Sequence, residues 1–136
     1  LGPISDVSGF CETVAGDFPA DDAAVLTVRF ASGALGSLQC YFGVPVDPDE
    51  FVVVGSGGRL VATPLNGGDL VIETASGIET ESHPPAENFN LPLITDFVAA
   101  IAEGRAPRVD GPEGRATNEV IERGYGVSAR PSIDPA

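Results

Sequence analysis

His83 is the single histidine of the chain, and imidazole is the side chain whose ordinary pKa lets it trade protons near neutrality. Pro84 and Pro85 follow it, so it reads as the last residue of a strand, exposed at a loop edge where it can touch a ligand. Acid–base chemistry would need a second histidine or an activated nucleophile nearby, and the sequence offers neither. Arg105 and Arg108 bracket Pro107 in a short link, a setting from which guanidinium groups bind anionic ligands; helix capping or surface pairing is the competing explanation. His83, Arg105 and Arg108 are therefore the candidate substrate-binding residues. No catalytic, cofactor-binding or metal-ligating residue is assigned.

Other groupings yield to plainer readings. Gly55-Ser56-Gly57-Gly58 lacks the spacing of a dinucleotide fingerprint and the helix that would hold a phosphate, so it reads as a β-turn. Asp47, Asp49 and Glu50 lack the alternating acids and distal glutamate of a calcium loop and read as a solvated acidic loop. Asp21 and Asp22 read as turn and strand-entry residues rather than a carboxylate pair. All seven basic residues are arginine, so Schiff-base chemistry and a lysine general acid are excluded within this chain.

The elements that position these residues begin with short β segments. Ile4–Val14 alternates, 15–22 is a loop, and Ala23–Phe30 and Ala34–Phe42 flank Ala31-Ser32-Gly33, a hairpin turn with Gly33 at positive φ. Phe51–Gly55 with Arg59–Thr63, and Leu70–Thr74 with Ile78–Ser82, make two further hairpins, the last with one wet face. From Asn90 the period lengthens: Leu93, Ile94, Phe97, Val98 and Ile101 predict a helix that Gly104 stops. A second helix over Glu113–Ala129 is weakened by Gly124 and Gly126. Strands followed by helices predict an α+β fold: an open, mostly antiparallel sheet of about six strands with helices packed on one face.

The 136 residues suit one domain with a core of its own. A net charge of -13 opposes binding to nucleic acid and to anionic membranes, and no apolar run reaches the roughly 20 residues of a membrane span, so a soluble, cytoplasmic protein is expected. Cys11 and Cys40 read as two buried thiols rather than a disulfide. The chain starts at Leu1 with no leader in view, which suggests a piece of something longer.

Three stretches in order, Phe30-Ala-Ser-Gly-Ala-Leu-Gly36, Val54-Gly-Ser-Gly-Gly-Arg-Leu60 and Asp96-Phe-Val-Ala-Ala-Ile-Ala-Glu-Gly-Arg-Ala-Pro107, resemble the Gfo/Idh/MocA family of glucose-fructose oxidoreductases and inositol dehydrogenases. The tail, Gly111-Pro-Glu-Gly-Arg-Ala116 with Val120, Ile121, Tyr125 and Ser128-Ala129, is similar to the family's final helix. The resemblance implies a carboxy-terminal domain that shapes a substrate site and packs subunits together, with an amino-terminal Rossmann domain, missing here, that binds NAD or NADP. The family's Glu-Lys-Pro lysine and its helix-borne Asp and His match nothing in this chain, and His83 lies in the wrong segment for that histidine. On this reading the chain binds no cofactor and is inactive alone. It forms a homo-oligomer through its open sheet face, and the parent oxidises a sugar, polyol or similar hydroxylated compound. The alternatives are a stand-alone binding or assembly module and a small acid–base enzyme centred on His83.

Overall fold

The computed structural model describes residues 1–17, 19–46, 49–65 and 67–128, and the chain divides into two compact units, Leu1–Val46 with the segment from Val109 onward, and Asp47–Arg108. The first holds an antiparallel sheet in the order β1 (Ile4–Glu12), β2 (Ala23–Phe30), β3 (Leu35–Tyr41), together with the final helix, α2 (Gly111–Ser128). Period-two alternation sorts its side chains: the rows Val7–Val28–Gly36, Gly9–Leu26–Leu38 and Cys11–Ala24–Cys40 share one face. Helix α2 packs against this sheet through β1, and buried Gly124 lies against Leu26, where an added Cβ would stand 2.9 Å from Leu26 Cδ1. The glycine expected to weaken this helix is what lets it approach the strands. Val28 is buried in the same layer.

Strand β1 slips register between Ile4 and Asp6, a bulge that leaves Ser5 out of the ladder. Arg123 of α2 donates to the carbonyl oxygens of Ile4 and Ser5, so the helix supplies partners at the irregularity. Helix α2 begins two residues earlier than the periodicity predicts because the Asp110 carboxylate accepts the Glu113 N–H and Pro112 suits the first turn. The predicted end at Ala129 lies outside the described residues.

The second unit holds an antiparallel sheet in the order β4 (Phe51–Gly55), β5 (Gly58–Thr63), β6 (Gly68–Thr74), β7 (Gly77–His83), together with helix α1 (Leu91–Glu103). Helix α1 ends as its sequence predicts: Gly104 takes φ 65° and ψ 29°, and the Arg105 N–H donates to the Ala100 carbonyl at 3.0 Å. The α+β class and the open antiparallel strands are as expected. The strands form two hydrogen-bonded sheets of three and four, however, rather than one sheet of about six.

Cys11 and Cys40 form no disulfide, but neither is buried: Cys11 is half-exposed and Cys40 exposed. Both pair with Ala24, so two strand spacings of about 4.8 Å separate them, beyond disulfide reach. No helix among the described residues is long and apolar enough to cross a membrane.

Candidate functional site: an open sheet face with a polar edge

The ladder of the four-stranded sheet places Phe51–Ala62–Leu70–Glu81 and Val53–Leu60–Ile72–Glu79 in two rows on one face. His83 shares this face at the end of β7, directly opposite Gly68, so the neighbouring strand offers no side chain beside the imidazole. Its Nε2 lies 3.2 Å from Glu81 Oε2, with 62% of the histidine side chain and 49% of the glutamate side chain exposed. The face therefore grades from apolar at β4 to two carboxylates and an imidazole at β7. That arrangement can lay an apolar ring surface against Leu60 and Ile72 while Glu79, Glu81 and His83 accept or donate hydrogen bonds to hydroxyl groups. The pair stands open to water and can orient a ligand.

Arg105 and Arg108 lie elsewhere in the unit and converge on one residue, Asp96 of α1. Arg105 donates to Asp96 Oδ1 at 2.9 Å and to Glu103 at 2.6 Å, while the Arg108 backbone N–H donates to Asp96 Oδ2 at 2.7 Å. The Arg108 N–H and then the Arg105 guanidinium hold the Asp96 carboxyl below the usual aspartate range. The structure thus gives Arg105 a local structural task, folding the link back on its helix, whereas the Arg108 side chain is 90% exposed. Sequence reasoning passed over Asp96 and Glu81. Glu81 was legible as the same-face neighbour two residues before His83, but Asp96 meets Arg105 only because Gly104 reverses the chain.

Asp22, read as a strand-entry residue, is the buried polar anchor of the first unit. Its carboxylate accepts the N–H groups of Val14, Ala15 and Gly16, and its own backbone bonds to Glu12 and Phe42. These bonds, the one from Val14 foremost, hold its carboxyl below the usual range.

No group of three or more His, Cys, Asp or Glu side chains among the described residues could hold a metal; Asp47 of the acidic loop lies outside them. Two places where a phosphate could be sought are otherwise engaged. Ser56-Gly57 is a tight turn between two strands, and the α2 N-terminus already receives the Asp110 carboxylate, which would repel a phosphate.

Residues 1–61 match the family model of the GFO/IDH/MocA C-terminal domain. The chain resembles this domain in sequence over that span and in fold over nearly its whole length, as the motifs indicate. Among solved structures, levoglucosan dehydrogenase in complex with NADH superposes with a TM-score of 0.82 at 22% identity, covering 95% of this chain and 44% of that one. An oxidoreductase from Agrobacterium radiobacter, in complex with NAD+, L-tartaric acid and magnesium, gives 0.81 at 14% identity, with 96% and 42% covered. An aldose-aldose oxidoreductase from Caulobacter crescentus, complexed with glycerol, gives 0.79 at 22% identity, with 93% and 39% covered. No curated protein matches the chain. The chain spans less than half the length of these structures, and identities this low establish the fold alone.

Proposed function

We propose that this chain is the substrate-shaping and subunit-packing domain of an NAD(P)-dependent oxidoreductase that acts on a sugar, polyol or related hydroxylated compound. The observation that carries the reading is the fold shared with three oxidoreductases, two of them holding NAD+ or NADH. The nicotinamide belongs to a separate cofactor-binding domain, which would supply the hydride donor or acceptor. This domain's own contribution is to orient substrate hydroxyls with Glu79, Glu81 and His83 beside an apolar sheet face, and to pair subunits through exposed sheet surface. Light scattering of the chain and calorimetric titration with NADH test it. The reading expects an oligomer that gives no NADH heat. Stoichiometric NADH binding by this chain alone would overturn it.

A stand-alone binding module is the second reading, favoured by the exposed Glu81–His83 pair at the sheet edge. It predicts that the chain binds a hydroxylated ligand by itself, in a manner lost in His83→Ala.

A further inference from the structure

Asp22 stands just outside the ladders of the three-stranded sheet, one residue before the pairs Glu12–Ala23 and Ala23–Tyr41. Its N–H donates to the Glu12 carbonyl at 3.0 Å, and its own carbonyl accepts the Phe42 N–H at 2.7 Å, so its backbone is tied on both sides. From that fixed stem the buried carboxylate reaches the turn that follows β1. Oδ1 accepts the Val14 N–H at 2.7 Å, while Oδ2 accepts the Ala15 N–H at 2.8 Å and the Gly16 N–H as well.

Successive backbone N–H groups that converge on one point make a nest, a concavity of partial positive charge suited to anions. Here the donors divide between two oxygens, so the turn is matched to a planar carboxylate rather than to a spherical ion. Packing does not hold this turn in place: Val14 is 73% exposed, and no residue of 13–17 is fully buried. The Thr13 hydroxyl donates to the Ala20 carbonyl at 2.8 Å, a neutral bond and so weaker than those made to a charge. The bonds from Asp22 to Glu12 and Phe42 use backbone atoms alone and do not depend on its side chain.

We infer that the 14–16 turn is a carboxylate-binding site filled by the chain's own Asp22, which serves as the latch of the segment after β1. With that side chain removed, 13–17 opens while the β1–β2–β3 sheet persists, and a free carboxylate closes it again. In the wild-type chain the site is self-occupied, so an outside carboxylate finds it closed. The latch is independent of any substrate or cofactor role of the domain.

Amide hydrogen exchange of the whole chain, read residue by residue by NMR at constant pH, tests it. In Asp22→Ala the amides of Val14, Ala15 and Gly16 should exchange at least about tenfold faster than in wild type, whereas Leu26 and Val28 in the central strand quicken by a smaller factor. Sodium acetate, added over a concentration series, should restore protection of the three amides saturably in this variant and leave wild type unchanged. Sodium chloride at the same ionic strength should not restore it. Equal quickening of the turn and the central strand would overturn the inference, as would turn amides that exchange alike in both proteins. Acetate without effect, or chloride matching acetate, would overturn the carboxylate site. Should Asp22→Ala fail to fold, Asp22→Asn carries the test: its turn amides should quicken ahead of Leu26 and Val28, and wild-type protection there would overturn the latch.

Discussion

At the scale of single residues, carboxylates organise this protein more than its histidine does. Asp22 gathers three consecutive backbone N–H groups, and Asp96 gathers one N–H and one guanidinium. Both carboxyls are held below their ordinary range, so each stabilises the fold while ionised, and that stabilisation is lost as pH falls through the lowered folded-state value. Melting temperature should therefore be flat above about pH 5 and fall below about pH 4, the range of an unperturbed aspartate. Asp22→Asn should lower the neutral-pH melting temperature and flatten the acid limb of the curve; a parallel acid limb would show that other groups set it. In the proposed function His83 contacts the ligand. In a protein that carries both this domain and a cofactor domain, His83→Ala should raise KM with little change in kcat, since an exposed orienting group acts on binding.

At the scale of elements, the local rules carried well. Two strands, Ala23–Phe30 and Phe51–Gly55, fall where apolar runs and turn residues place them, because strand ends here coincide with turns. Gly33 takes its positive φ of 89° in the β2–β3 turn, as the Ala-Ser-Gly tripeptide predicts. Gly104→Ala should cost about 1 kcal/mol in thermal unfolding, because the helix stop requires a left-handed residue. Gly124→Val should cost about 1–3 kcal/mol by driving a branched side chain into Leu26, and chemical denaturation would register it. Helix propensity alone predicts the reverse sign for Gly124, since it counts the glycine only as a weakness. The close approach that decides the matter belongs to the pairing of α2 with β2, which lies far away in sequence.

At the scale of the whole molecule, the fold is short of buried apolar side chains. Among the described hydrophobic residues only Val28 and Ala100 are fully buried, while Phe51, Val54, Phe97 and Ile101 all remain more than half exposed. This exposed apolar surface includes both faces of the β4–β7 sheet and the α1 stripe at Ile94, Phe97, Val98 and Ile101. An environment-sensitive apolar dye should bind the chain strongly at neutral pH, and the signal should drop as concentration drives association. Val28→Ala, by contrast, should act within the fold, costing about 1.5 kcal/mol for two buried methyl groups with no effect on association.

The sequence by itself determined the local and the chemical limits: strand and helix positions from side-chain period, turns from glycine, the absence of lysine chemistry, and a family likeness carried by short motifs in order. It also placed His83 at a strand end, since two prolines follow it. Only the tertiary structure divided the strands into two ladders, because which strands pair is decided by hydrogen bonds between chain segments rather than by any one strand's pattern. It alone turned Arg105 toward Asp96, left the two cysteines short of burial, and set Arg59 against Glu73 at the middle of a sheet. Those are contacts across register and chain reversal, where residues distant in sequence become neighbours, and a one-dimensional period holds no record of them.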